Sequence, residues 1–341
     1  MIQTQDQYNK NNKINNNGPK QQKTFLENVL EIIVIGSVIF LIRTFVFGLY
    51  IVPTGSMEPT MLVGARFFAD KFSYYVRKPK RGEIIAFNDP EFEYSKNYFY
   101  ALFEQHVWGP ANWTKRVIGV PGDEVRGVIE NGKPVIYLNN EKLDEPYINP
   151  YPLIHIWTRD LETIQKEVTA EIEKLSRHFS INKTAASEFM MRKIGQYTTW
   201  RTYDPAFSFE DQPFYKIVEG RLVRDKEGNS ELIYPDTPLY RSDTRKEKKR
   251  GIDEYWNSSD EFFVRLRNGE YWCMGDNRRG SKDCRVFGPV AEKYIHGKIV
   301  FQIFSIDNDD TWTSWMLIDL LMHPIEFFKR IRWHDFFKLV R

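Results

Sequence analysis

Apolar residues are distributed along this chain in two different ways. One stretch, Val29 to Leu49, reads VLEIIVIGSVIFLIRTFVFGL and is apolar on every helical face rather than along one stripe. Its length matches the ~20 residues a helix needs to cross hydrocarbon. Only Glu31 and Arg43 interrupt it, each near an end where a side chain can reach the interface. Such a run is too long for a cleaved signal peptide, and no small-residue cleavage site follows it. A membrane-spanning helix is therefore predicted.

Beyond Ile51 the pattern changes to short apolar runs bounded by Gly, Pro, Asn and Asp. Arg81 to Pro90 (RGEIIAFNDP), Trp113 to Val125 (WTKRVIGVPGDEV) and Pro134 to Leu143 (PVIYLNNEKL) are examples. Glu261 to Arg278 and Gly297 to Phe304 repeat the pattern late in the chain. This is the signature of strands and hairpins. The exception is Asp160 to about Gln196, whose Glu, Lys, Leu and Ala content at helical spacing predicts one or two helices. The charge run Arg241 to Arg250 is expected to be a solvated loop.

These patterns divide the chain. Residues 1–24, rich in Asn, Gln and Lys, are expected to be a disordered cytoplasmic tail. Residues 25–50 would form the transmembrane anchor, and 51–125 with 262–310 a β core. Residues 126–261 read as an inserted subdomain with helices. The tail 311–341 mixes Trp, Phe and Leu with Lys and Arg and is broken by Pro324. It suits an amphipathic segment on the bilayer or one packed on the body. Lys10, Lys13, Lys20 and Lys23 favour an N-terminus inside and a body outside.

Composition adds exclusions. A formal net charge of +2 is too small for a nucleic-acid protein. The six histidines lack HExxH spacing, and the two cysteines, Cys273 and Cys284, lack CxxC spacing. No metal site or cofactor is expected. Two cysteines are too few for a disulfide scaffold; they could pair, or be two buried thiols.

Candidate chemistry begins directly after the apolar run. In IVPTGSMEPTM (Ile51 to Met61), Pro53, Gly55 and Pro59 enforce an irregular path around Ser56. Such a serine is ordinarily a turn residue; as a nucleophile it needs a base. Pro53 to Thr60 resembles the nucleophile box of bacterial signal peptidase I. RGEIIAFNDP resembles that family's next box, with Glu83 where Asp is more usual. Lys115 to Asp123 (KRVIGVPGD) resembles its lysine box, and Gly275 to Arg285 (GDNRRGSKDCR) its GDNR box. The four occur in the family's order.

The resemblance implies a mainly β fold. It would have an antiparallel β-sheet catalytic core, an inserted β/α subdomain and one N-terminal transmembrane helix. It implies a membrane-bound serine endopeptidase that removes signal peptides through an acyl-enzyme. Ser56 matches the nucleophile and Lys115 the general base. Thr54, with the backbone N–H of Ser56, matches the oxyanion hole. Ser281 matches a serine that bonds the lysine. Asp276 with Arg116, and Asp283 with Arg285, match structural ion pairs. To act as a base Lys115 must be neutral, which requires burial. Strand alternation would place Lys115 on a dry face and Arg116 on a wet one. Cys284 replaces a family serine and Gly280 an Asn.

Implied partners are membrane lipid and exported preproteins with small residues before the cut, with no nucleic acid. Shallow apolar pockets are expected around Met57 and Ile84 to Phe87. The implied location is the bacterial cytoplasmic (inner) membrane, single-pass, with the catalytic domain on the outer or periplasmic side. A related Ser/Lys processing peptidase with a dedicated substrate, and a non-catalytic envelope scaffold, are the alternatives.

Overall fold

The computed structural model describes residues 24–106, 109–157, 161–176, 198–204, 206–207, 232–239, 248–251, 253–306 and 320–340. The chain divides into two units, residues 1–44 and 45–341. In the first, helix α1 (Phe25–Leu41) starts at Thr24 through a reciprocal cap. The Thr24 hydroxyl accepts from the Glu27 N–H at 3.4 Å, and the Glu27 carboxylate accepts from the Thr24 N–H at 2.7 Å. No side chain of α1 is buried within the protein. A wider helical turn, Ile42–Val46, extends the apolar helix to 22 residues, Phe25–Val46.

The second unit is almost entirely antiparallel β-structure, with strands β1 (Phe47–Ile51), β2 (Arg66–Asp70), β3 (Ile84–Asn88) and β4 (Asn112–Gly119). Helix α2 (Ser73–Val76) lies between β2 and β3, and helix α3 (Tyr98–His106) between β3 and β4. Next come β5 (Glu124–Glu130), β6 (Lys133–Leu138), β7 (Glu141–Lys142) and β8 (Leu153–Trp157). Helix α4 (Leu161–Ser176) precedes β9 (Thr198–Thr202), β10 (Leu232–Ile233), β11 (Lys248–Arg250) and β12 (Glu254–Trp256). The chain continues through β13 (Phe262–Arg265) and β14 (Glu270–Met274) to the single-turn helix α5 (Cys284–Phe287). It then forms β15 (Val290–Ala291), β16 (Ile295–Phe304) and helix α6 (Pro324–Lys329).

A seven-stranded sheet has the order β1-β2-β16-β3-β4-β14-β15, and a six-stranded sheet β11-β12-β13-β5-β6-β7. The main core joins residues of both sheets around Trp272, which stacks on Phe262 at 4.8 Å between ring centroids. A second core under β1 and β2 gathers Val52, Met57, Met61, Phe67 and Ile299. The Ser56 segment is thereby tied to the rigid sheet.

Three expectations change. Phe47 to Tyr50 do not extend the anchor helix, because they pair with β2 in register Phe47 to Asp70 through Ile51 to Arg66. β5 and β13 are partners in the six-stranded sheet, so the division between core and insert falls before β5 rather than within it. Lys248–Arg250 is a strand and not a loop, since Arg250 is held by Glu254 and Glu270. The helix expected over 160–196 is seen as α4; residues 177–197 lie outside the described residues, as do 1–23, 240–247 and 307–319. Of the C-terminal tail, Phe327, Ile331 and Arg332 are buried, and Arg332 donates to the Val63 carbonyl and the Ser305 hydroxyl.

Replacing Trp272 by Ala should remove the ring that both sheets share and cost about 3–5 kcal/mol. Urea unfolding of the two proteins measures this as a lower midpoint.

Candidate functional site

Ser56 sits on a single 3-10 turn, Gly55–Met57, and is buried. The turn is held from the GDNR segment: the Asn277 N–H donates to the Ser56 carbonyl at 3.2 Å, and Asn277 Nδ2 donates to the Gly55 carbonyl at 2.9 Å. Gly275 is required by close approach. A Cβ there would lie 2.4 Å from the Ser56 carbonyl oxygen and 2.3 Å from Ser281 Oγ.

Lys115 reaches this turn from β4. Its Nζ is 2.9 Å from Ser56 Oγ and 3.0 Å from the Thr114 carbonyl oxygen. The side chain is fully enclosed, and burial lowers its pKa to about 8 while the Asp283 carboxylate pulls the other way. The amine thus has ready access to its neutral form near physiological pH.

Arg116, the next residue, is also buried, against the expectation of a wet face. Both faces of β4 are covered, so alternation separates two buried environments. Arg116 forks onto Asp276, with Nε to Oδ1 at 2.8 Å and Nη2 to Oδ2 at 2.7 Å. Thr60 donates to the same carboxylate at 2.6 Å, and the guanidinium lies 4.1 Å from the Tyr147 ring centroid. A second buried fork joins Arg285 to Asp283 at 2.9 Å on both arms, and Asp283 also accepts from the Gly275 N–H at 3.1 Å. Burial alone would push the Asp283 carboxyl up; Arg285 and these bonds hold it below its ordinary range.

Thr54 is exposed, with its Oγ1 3.5 Å from Ser56 Oγ. Ser281 stands beside Gly275, but its Oγ is buried without a hydrogen-bond partner. The expected bond from Ser281 to Lys115 is therefore not formed, because Lys115 turns to Ser56 and Thr114. Cys273 and Cys284 are both free and buried, the Cys273 N–H donating to Cys284 Sγ at 3.0 Å.

A cleft of about 390 Å³ opens over the pair. One wall is Tyr50 to Thr54 with Met57 and Met61; the other is Ala111 to Lys115, with Gly280 and Lys282 at the rim. Ile84 to Phe87 do not line it, since all four are buried one strand behind, in the core. Sequence reasoning missed Trp113, whose ring lies 5.6 Å from Lys115 Nζ and 5.5 Å from Lys282 Nζ. It also missed Asp260, which pairs with Arg285 at 2.7 Å, and Glu145, which pairs with Arg278. Trp113 could have been found from its position two residues before Lys115; the two carboxylates lie in segments with no local signal.

A serine hydroxyl and a buried lysine amine thus lie at hydrogen-bond distance beneath a cleft in an antiparallel β body. The family model described as signal peptidase, peptidase S26, matches residues 25–190 and 216–304, and the chain belongs to that family. It is 26% identical over 327 residues to signal peptidase I of Buchnera aphidicola from Acyrthosiphon pisum, covering 90% of this chain and 86% of that one. A probable signal peptidase I-2 of Synechocystis is 40% identical over 111 residues, 33% of this chain and 44% of that one. Among solved structures, signal peptidase I of Enterococcus faecalis aligns with 15% identity and a TM-score of 0.25, over 65% of this chain and 97% of that one. The protein is accordingly a peptidase of a membrane-associated family that acts on exported preproteins.

Removing the Asp276 side chain as Ala would leave the Arg116 guanidinium buried without its carboxylate. A loss of about 3–5 kcal/mol in unfolding free energy is expected, read by chemical denaturation.

Proposed function

We propose that this protein removes N-terminal signal peptides from exported preproteins by serine-lysine chemistry, with Ser56 as nucleophile and Lys115 as general base. The supporting observation is the 2.9 Å approach of Lys115 Nζ to Ser56 Oγ, in surroundings that lower the lysine pKa to about 8.

Neutral Lys115 takes the Ser56 hydroxyl proton as Oγ bonds to the scissile carbonyl carbon. The tetrahedral oxyanion is met by the Ser56 N–H and the Thr54 hydroxyl, donors worth about 3 kcal/mol each when preorganised. Collapse breaks the C–N bond, and the Lys115 ammonium passes its proton to the leaving amine. Lys115, neutral again, then activates a water that hydrolyses the acyl-enzyme. The Thr114 carbonyl, 3.0 Å away, accepts from the ammonium. The resemblance to the family assigns Ser281, whose Oγ is buried beside Gly275, the task of orienting the same amine. The two carboxylate-arginine forks keep the loops around Ser56 in register and touch no reacting atom.

The cleft takes an extended peptide with small side chains before the cut, because Val52, Met57, Met61 and Trp113 leave shallow apolar space. Helix Phe25–Val46 spans the bacterial cytoplasmic membrane, with the basic N-terminal segment inside and the β body outside. Ser56 follows ten residues after the span, so the site meets its substrate where the substrate's own apolar segment ends.

The experiment is cleavage of a precursor with an Ala-x-Ala site by detergent-solubilised protein. Ser56→Ala and Lys115→Met should each abolish product formation while the variants stay folded; a Lys115→Met protein with full activity removes the dyad. Thr54→Val should lower kcat by about 10²–10³, with little change in KM.

The pH dependence follows from the sign of the lysine shift. The base is competent only when neutral, so kcat/KM should rise with pH and be half-maximal near about 8. Below that, activity falls about tenfold per pH unit as Lys115 gains its proton. A flat profile from pH 6 to 9 contradicts this assignment.

A further inference from the structure

Asn277 holds two successive peptide units of the nucleophile turn. Its backbone N–H donates to the Ser56 carbonyl at 3.2 Å, and its Nδ2 donates to the Gly55 carbonyl at 2.9 Å. The second bond bears on the oxyanion. In a trans peptide the C=O and the N–H that follows it share one plane and point in opposite directions. Fixing the Gly55 carbonyl therefore fixes the direction of the Ser56 N–H, the backbone donor assigned above to the tetrahedral intermediate.

The Asn277 carboxamide must itself be held. Turned over about its last bond, it would set Oδ1 against the Gly55 carbonyl oxygen. Two contacts oppose this. Oδ1 accepts from the Gly280 N–H at 3.3 Å, and Nδ2 also donates to the Thr202 hydroxyl oxygen at 3.4 Å. Thr202 is the last residue of β9, lies in none of the family motifs, and is fully buried. Its hydroxyl oxygen accepts a second amide proton, from Asn149 Nδ2 at 2.9 Å. Asn149 is fixed in turn, its N–H donating to the Asp276 carbonyl at 2.9 Å and its Oδ1 accepting from the Tyr151 N–H at 3.0 Å. The backbone of Thr202 is set by pairing with Leu153 of β8, continued by the Tyr203 N–H donating to the Pro152 carbonyl at 2.8 Å. The inserted three-stranded sheet thus presents a fixed acceptor to the GDNR loop.

We propose that Thr202 is a positioning residue for the reaction: its hydroxyl holds the Asn277 amide, and through it the Gly55–Ser56 peptide, so that the Ser56 N–H meets the oxyanion. The inference rests on the Ser56–Lys115 reading and deepens it. With one Nδ2 hydrogen given to Gly55, the other faces Thr202, and a buried donor without an acceptor is costly. An apolar residue at 202 would favour a turned or relaxed amide, which loosens the peptide plane. Lys115 stands outside this chain of bonds. The effect therefore belongs to the transition state, where the oxyanion carries charge, and not to substrate binding.

The test uses the full-length, detergent-solubilised protein cutting an Ala-x-Ala precursor, with urea midpoints showing that each variant is folded. Thr202→Val keeps the shape and removes the hydroxyl; it should lower kcat about five- to tenfold and leave KM unchanged. Its kcat/KM should stay half-maximal near pH about 8, because the surroundings of Lys115 are intact. Thr202→Ser should recover most of kcat. Thr202→Cys, a weaker acceptor of similar size, should fall between Ser and Val, which keeps the test open if the valine variant does not fold. Wild-type kcat in the folded Val or Cys protein overturns the proposal. A rise in KM with kcat unchanged does so too, since it would put Thr202 in substrate binding. So does a moved pH midpoint, which would mean that it acts on Lys115, or a loss that Thr202→Ser does not repair, which would mean packing alone. No cutting by the wild-type protein would instead remove the Ser56–Lys115 reading beneath it.

Discussion

The site depends on keeping an amine out of water. An ammonium group is among the costliest groups to bury, and a protein that encloses one without a direct counter-ion lowers its proton affinity. Lys115 is in that position: its two polar contacts, Ser56 Oγ and the Thr114 carbonyl, carry no charge. On the proposed mechanism, the desolvation that would be a defect elsewhere is what lets the amine accept a proton. Nearby Asp283 moderates the effect and is itself occupied by Arg285.

The rest of the body can be understood as the means of holding that amine against one hydroxyl. β4 is buried on both faces, and adjacent residues on it have opposite electrostatic fates. Arg116 remains charged because Asp276 meets it with two parallel bonds, and Lys115 has no such partner. The GDNR segment holds the Ser56 turn by backbone bonds from Asn277, and Gly275 lets the two loops approach. Buried ion pairs of this kind add little net stability and fix geometry, which a dyad requires more.

Much of this was legible in the sequence because it is local. The apolar run, the strand-turn alternation and the four motifs each lie within about a dozen residues, where spacing and residue type speak for themselves. Partners from distant segments were not legible: nothing near Asp260 or Glu145 indicates an arginine to be neutralised. Two errors share a physical cause. Arg116 was expected in water because alternation tells which face a residue takes, not whether that face is covered. Phe47 to Leu49 continued an apolar run, and only the pairing with β2 shows that they begin a strand.

The central claim is that Lys115 exchanges its proton near neutral pH because it is buried. The direct measurement is a titration of the full-length Ser56→Ala protein carrying isotopically labelled lysine, following the Lys115 side-chain resonance by NMR and assigning it with Lys115→Met. The account predicts one lysine titrating near about 8, well below the others. A Lys115 resonance that titrates with the surface lysines, above about 10, would contradict it.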